Sequence, residues 1–240
     1  MLLLPFVVGT VRGVQDAGFR PVTLALGALW LVGYLAYSAG GLWLKSRRRP
    51  RYRRPMLTYA AVAAALGLVV LLLDPPLAVW APTFLPFLAL GLWASAQRTE
   101  RSVAAGGAMT VAASLMTVVA YVACRGPGAP VLVVPGVVWL VAGLLLAYLF
   151  GTVLYVKTMI RERGVRAYVV ASVAYHAAVT VAAAVLAVVH DPSWWWATAF
   201  LAAATARSAV LPGRALSPRA VGIGEVVATL LLAAVALVVR

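Results

Sequence analysis

A chain of 240 residues that is 64% apolar and only 11% charged has too few polar side chains to cover the surface of a water-soluble globule, which runs at about 45–50% apolar and about a quarter charged. The net charge of +14 invites a nucleic-acid reading, but the basic residues sit between long apolar runs instead of along one face of a folded module. Disordered and collagen-like chains are excluded by the same composition, leaving a polytopic membrane protein.

The first apolar run, Met1–Val11, has eleven residues before Arg12 and would reach only about 16 Å as a helix. It is short of the roughly 20 residues that cross a bilayer. Either it is re-entrant or upstream residues complete it, and completion is the expectation. No basic stretch precedes the run and no small-residue cleavage pattern follows it, so it does not read as a signal peptide. Eight windows of spanning length follow, at 21–44, 56–73, 77–96, 102–123, 131–156, 167–189, 194–212 and 220–239. Turn formers separate them at Asp74-Pro75-Pro76, Arg125-Gly126-Pro127-Gly128 and His190-Asp191-Pro192, where backbone amides can return to water. The expected fold is all-α: a polytopic transmembrane bundle of eight or nine helices forming one integral membrane domain over 1–240.

Basic residues orient these spans. The segments 45–55, 97–101 and 157–166, with the turn between the last two spans, carry sixteen Lys and Arg, seven of them in 45–55. The alternate connections and the C-terminus carry four: Arg12, Arg20, Arg125 and Arg240. That asymmetry predicts a plasma-membrane protein with the sixteen in the cytoplasm, the N-terminus inside and the C-terminus outside. Trp194-Trp195-Trp196 and Trp80 fall at the opposite ends of the spans and read as an interfacial anchoring belt. Gly27, Gly33, Gly40 and Gly41, with the small-residue runs 60–67 and 104–108, predict close helix approach. The one cysteine, Cys124, lies at the outer end of its span, where an impermeant maleimide is expected to reach it.

Ionisable groups inside a bilayer are costly and raise a functional question. Lys157 and Arg161, four apart on one helix, either snorkel to the interface or flank an anion such as a phosphate, carboxylate or lipid headgroup. Arg207 and Glu225 lie on consecutive spans, each about two turns below the cytoplasmic surface. They are positioned to pair; the alternative gives Glu225 a proton or ligand role and Arg207 an anion contact. His176, ten residues along its span from Arg166, sits about 15 Å deep and reads as a hydrogen-bonded neutral imidazole, or else as a relay or ligand group. His190-Asp191 reads as loop polarity. The basic run Lys45–Arg54 predicts attraction to anionic membrane lipids, worth about 1 kcal/mol per residue near the surface, and no nucleic acid.

Several chemistries have no residues to carry them. There is no P-loop, GxSxG elbow, HExxH or CxxC motif, and six acids scattered along the chain do not form a magnesium cluster. No metal and no cofactor is expected. The sequence sets no oligomeric state.

The opening Met1–Gly9, the segment Tyr155–Arg163, the pair Tyr175-His176 and the stretch Pro218–Glu225 resemble landmarks of the YwiC-like family of bacterial membrane proteins, over most of the chain. In that family a His-Gly-Ala-Trp element precedes the first of these; its absence here agrees with the short first helix and the expectation that upstream residues complete it. The resemblance implies a membrane protein and names no substrate. The helix count and the positions of the two long cytoplasmic segments also look like the prenyltransferase superfamily typified by UbiA, whose Asp-rich motifs in those segments hold Mg²⁺-diphosphate. Here the same segments are basic, Lys45–Arg54 and Lys157–Arg166, which argues against metal-dependent prenyl transfer. The leading expectation is therefore a protein that binds or transports an anionic amphiphile or small anion through a cytoplasmic-facing pocket lined by Lys157, Arg161, Arg207 and Glu225, with His176 deeper. The alternatives are a membrane enzyme acting on a lipid phosphate without Asp-rich motifs, and an accessory subunit whose polar groups fix helix packing.

Overall fold

A computed structural model describes residues 2–214 and 216–240. Among the described residues it contains nine α-helices and no strand: α1 Leu4–Ala17, α2 Val22–Lys45, α3 Pro50–Leu73, α4 Ala81–Ala96, α5 Val103–Arg125, α6 Gly136–Val156, α7 Arg166–Val189, α8 Trp194–Val210 and α9 Pro218–Val238. Short 3₁₀ segments precede α4 at Pro75–Trp80 and follow α8 at Leu211–Gly213, and a π-helical turn, Lys157–Arg161, continues α6. The all-helical membrane bundle expected from composition is the observed fold.

Seven helices are long and apolar enough to cross a membrane by length and composition, α4 and α6 counted with their short extensions. The other two fall below that length. α1 has 14 residues, about 21 Å, and α8 has 17, about 25 Å. The window at 194–212 was expected to span as one helix, but regular hydrogen bonding stops at Val210, just before Pro212, which has no N–H to continue it. α1 also runs past the expected stop at Arg12 to Ala17, because a charge ends an apolar run without ending a helix, and arginine is itself a good helix former. Met1 lies outside the described residues.

α3 begins six residues earlier than its apolar window, with Pro50 in its first turn, where a missing N–H costs nothing. Arg51, Arg53 and Arg54 are therefore helical, not loop. The link back to α2 is tight: Arg47 and Arg48 adopt φ of 57° and 61°, a left-handed conformation that non-glycine residues rarely take, and Arg48 N–H closes on Trp43 O at 2.8 Å. Conversely α6 starts at Gly136, later than expected, leaving 126–135 as an irregular connection.

The chain forms two compact units, Leu2–Trp139 and Leu140–Arg240. In the first, α2 packs on α3 and α1 packs on α5. The second contact is close because glycines face it. A Cβ built on Gly9 would collide with the main chain of Thr117, and one on Gly13 would lie 2.7 Å from Cys124 Cβ. Gly9 and Gly13 are one turn apart, the spacing that lets backbones touch in lipid. In the second unit α7 packs on α8 and α9 adjoins α8.

Hydroxyls along the helices are mostly satisfied by their own backbone. Thr58, Thr198 and Thr229 donate to the carbonyls of Arg54, Trp194 and Glu225, four residues back, and Thr110 to that of Gly107.

Burial corrects the cysteine expectation. Cys124 is 1% exposed, covered by Thr10 and Gly13 of α1. A membrane-impermeant maleimide should leave the folded protein unlabelled from either side and add one label only after denaturation, read as an intact-mass shift.

Candidate functional site

The polar centre of the second unit is built on three helices. Glu225 enters from the second turn of α9, a helix capped by Ser217, whose hydroxyl accepts from Ala220 N–H. Its side chain is buried. Oε2 accepts hydrogen bonds from Tyr148 Oη and Thr152 Oγ1 of α6, both at 3.1 Å. Oε1 lies 2.6 Å from Nη1 of Arg207 on α8, a charge contact too oblique to be a hydrogen bond. The Arg207 guanidinium carbon stands 4.3 Å from the Tyr155 ring centre and 6.0 Å from that of Tyr148, so two electron-rich faces border the cation.

The important detail is which edge of Arg207 remains. Nε and Nη2 are buried and have no hydrogen-bond partner among the described residues. Those two nitrogens form the side of the guanidinium whose N–H bonds run parallel and match two oxygens of one carboxylate or phosphate. Beside the side chain is a cavity of about 140 Å³ lined by Arg207, Tyr148, Phe200, Ala204, Ala228 and Leu231, among others. Apart from Arg207 and the Tyr148 hydroxyl those walls are apolar, so the fork supplies the charged recognition.

His176 of α7 is 1% exposed. Its Nδ1 is 2.7 Å from Ser172 O. A carbonyl can only accept, so Nδ1 carries the proton and Nε2 presents a lone pair. Nε2 is buried without a partner and faces Gly151 of α6, where a built Cβ would lie 2.8 Å away; the glycine makes room for the ring. The neighbouring Tyr175 hydroxyl donates to Ala147 O at 3.1 Å.

Lys157 and Arg161 part company. Lys157 is mostly buried, 3.9 Å from Glu162 and 5.5 Å from the Tyr168 ring centre. Arg161 is exposed. The anion beside Lys157 is thus a residue of the chain itself. Of the five candidates, the structure joins Arg207 to Glu225 directly, buries His176 on the neighbouring helix, and places Lys157 and Arg161 in the π-helical turn following α6.

At the basic turn between α2 and α3, Arg48 lies 5.6 Å from the Trp43 ring centre and Arg51 4.6 Å from that of Tyr52. Lys45 pairs with Glu100, and that hydrogen bond holds the Glu100 carboxyl below the usual carboxylate range. Among the described residues no group of three or more His, Cys, Asp or Glu could hold a metal.

Other polar features were not visible in the sequence. Asp74, read as a turn residue, is 2% exposed and receives Arg20 Nη1 at 2.5 Å, while Arg20 also donates to Ala123 O at 3.0 Å. The tryptophan belt divides. Trp195 and Trp196 are exposed, but Trp194 is buried and donates its indole N–H to Arg240 O at 3.0 Å, and Trp80 is buried. No local signal distinguishes these cases, because each depends on a residue far along the chain.

Comparison with known proteins places the chain in context. The YwiC-like protein family matches residues 1–121. The chain is 26% identical over 179 residues to the uncharacterized protein YwiC of Bacillus subtilis (strain 168), an alignment covering 73% of this chain and 70% of that protein. No solved structure matches.

Proposed function

We propose that this chain, which belongs to the YwiC-like protein family, binds or transports a small anion or an anionic amphiphile at Arg207, taking it from the cytoplasmic side of the plasma membrane. The reading rests on one observation: the parallel-donor edge of Arg207 is buried and unpaired in a residue that lines a cavity. Desolvating N–H groups of a cation without partners costs several kcal/mol, and an oxyanion with two coplanar oxygens removes that cost. Glu225 contacts the other edge and fixes the guanidinium plane without occupying the fork. The 16-to-4 division of basic residues supports an inside N-terminus and outside C-terminus. Lys45–Arg54 contribute a second, less specific role, attracting anionic headgroups to the cytoplasmic face.

Arg207→Lys is the discriminating substitution. It keeps a cation opposite Glu225 but removes the planar fork. Titration of the detergent-purified protein with a short-chain phosphatidic acid and with inorganic phosphate, followed by native mass spectrometry, should show binding of at least one of them, weakened about tenfold or more in the variant. The fork is worth about 1.4 kcal/mol for each tenfold. Equal binding by both proteins, or none by either, refutes the assignment.

A second reading is favoured by His176. A buried imidazole with a free Nε2 lone pair suits proton transfer, as a lipid-phosphate enzyme would need. Chemical conversion of the bound phosphatidic acid, lost in His176→Gln, would separate catalysis from carriage.

A further inference from the structure

The unit Leu2–Trp139 contains a cavity of about 430 Å³, well apart in sequence from Arg207 and of a size normal for a ligand site. Its walls come from α2, α3, α4 and α5 and include Trp30, Gly33, Trp80, Phe84, Met109 and Met116. Two features say what would fill it. No Lys, Arg, Asp, Glu or His lines it, so a charged group placed there would be desolvated without compensation. And Trp80, although 6% exposed, has an indole N–H with no hydrogen-bond partner. Trp30, on the same wall, shows the contrast: its N–H reaches Leu2 O at 3.0 Å, and its ring meets Phe84 edge-on at 5.9 Å.

Trp80 sits where the 3₁₀ segment passes into α4, at the end of a span and so at the depth where the polar part of a lipid meets its hydrocarbon. A buried indole N–H is almost always bonded. Nε1 itself has no exposed surface, while the residue lines the cavity, so a turn of the indole about its side-chain bonds brings the N–H to one acceptor at the head of a chain that runs down the cavity.

We propose that this cavity holds one long-chain membrane lipid by an uncharged carbonyl, which accepts from Trp80 Nε1, while the chain lies against α2, α4 and α5. The two sources of that chemistry are the ester of a glycerolipid and the carbonyl of an isoprenoid quinone. Methionines and aromatic rings on the walls suit a flexible chain, because both adapt to an irregular apolar surface. The ligand is anchored by one hydrogen bond and selected by length and lack of charge within the cavity.

Gly33 allows a test that spares the fold. A Cβ built there meets nothing within 4 Å, so Gly33→Leu projects into the cavity without striking the backbone, and it replaces a poor helix former with a good one. The full chain, stripped of lipid in detergent, would be titrated with palmitoyl-oleoyl-phosphatidylcholine and, separately, with decylubiquinone. Native mass spectrometry would read occupancy. The expected result is binding of one equivalent of at least one probe, with affinity falling tenfold or more in Gly33→Leu and about fivefold or more in Trp80→Phe. Thermal stability of Gly33→Leu without lipid should match or exceed that of the parent. The probe that binds identifies the source. Failure of both probes, or affinities unchanged in both variants, overturns the proposal. Arg207→Lys should leave this binding untouched, so its outcome is independent of the anion site.

Discussion

Gly9→Val should abolish correct packing of α1 on α5. The added atoms would occupy the position of the Thr117 main chain, and a helix backbone cannot rotate away as a side chain can. Overpacking of a rigid site typically costs about 1–3 kcal/mol, and this obstruction lies at or beyond the upper end because it repeats along a continuous contact: Gly13 meets Cys124 and Tyr121 in the same way one turn later. The expected observation is loss of the monodisperse peak in detergent chromatography, or a large fall in melting temperature, together with maleimide labelling of Cys124 without denaturant once α1 no longer covers it. Gly33→Ala is the control. It also adds a Cβ to a helical glycine, in α2 where that atom has open space, and it should be neutral or slightly stabilising.

Removing Arg207 alone should be the most damaging change in the second unit. Arg207→Ala leaves Glu225 buried as a carboxylate with only Tyr148 and Thr152 as donors. Breaking one partner of a buried pair costs about 3–5 kcal/mol, whereas replacing both by apolar residues is often neutral. Arg207→Leu with Glu225→Leu should therefore recover most of the melting temperature lost in Arg207→Ala. It should not recover anion binding. A double mutant as unstable as the single one would mean that the pair makes a net contribution beyond mutual neutralisation. Stability and binding both restored would remove the functional role of Arg207.

Helix positions were readable because a bilayer demands a minimum apolar length, and because proline, glycine and clustered charge mark where that length ends. The windows at 21–44 and 167–189 match α2 and α7 to within one residue at each end. Which face of each helix meets which neighbour was much less readable. In water the buried side of a helix is its apolar side; in lipid both sides are apolar, so the stripe that would identify the partner is lost. The Gly9/Gly13 contact carries only a spacing signal, and small residues were equally prominent at Gly33, which faces a cavity instead of a helix. Arg207 and Glu225 were legible as a pair because two costly charges on consecutive helices at one depth have few other partners. Arg20 and Asp74 were not, since Asp74 stands beside two prolines and looks sufficiently explained as a turn. That the Nε edge of Arg207 stays vacant is a matter of side-chain orientation, which no spacing encodes.

The threonines that hydrogen-bond the backbone one turn behind them have a consequence for biosynthesis. A segment whose hydroxyls are already occupied presents no unmet polar demand to hydrocarbon, so it can leave a translocation pore and wait in the bilayer before its neighbour emerges. Later pairing of segments then depends on contour and on the few charges they carry, such as Arg207 and Glu225, and substituting such a threonine by valine should alter neither the order nor the fidelity of assembly.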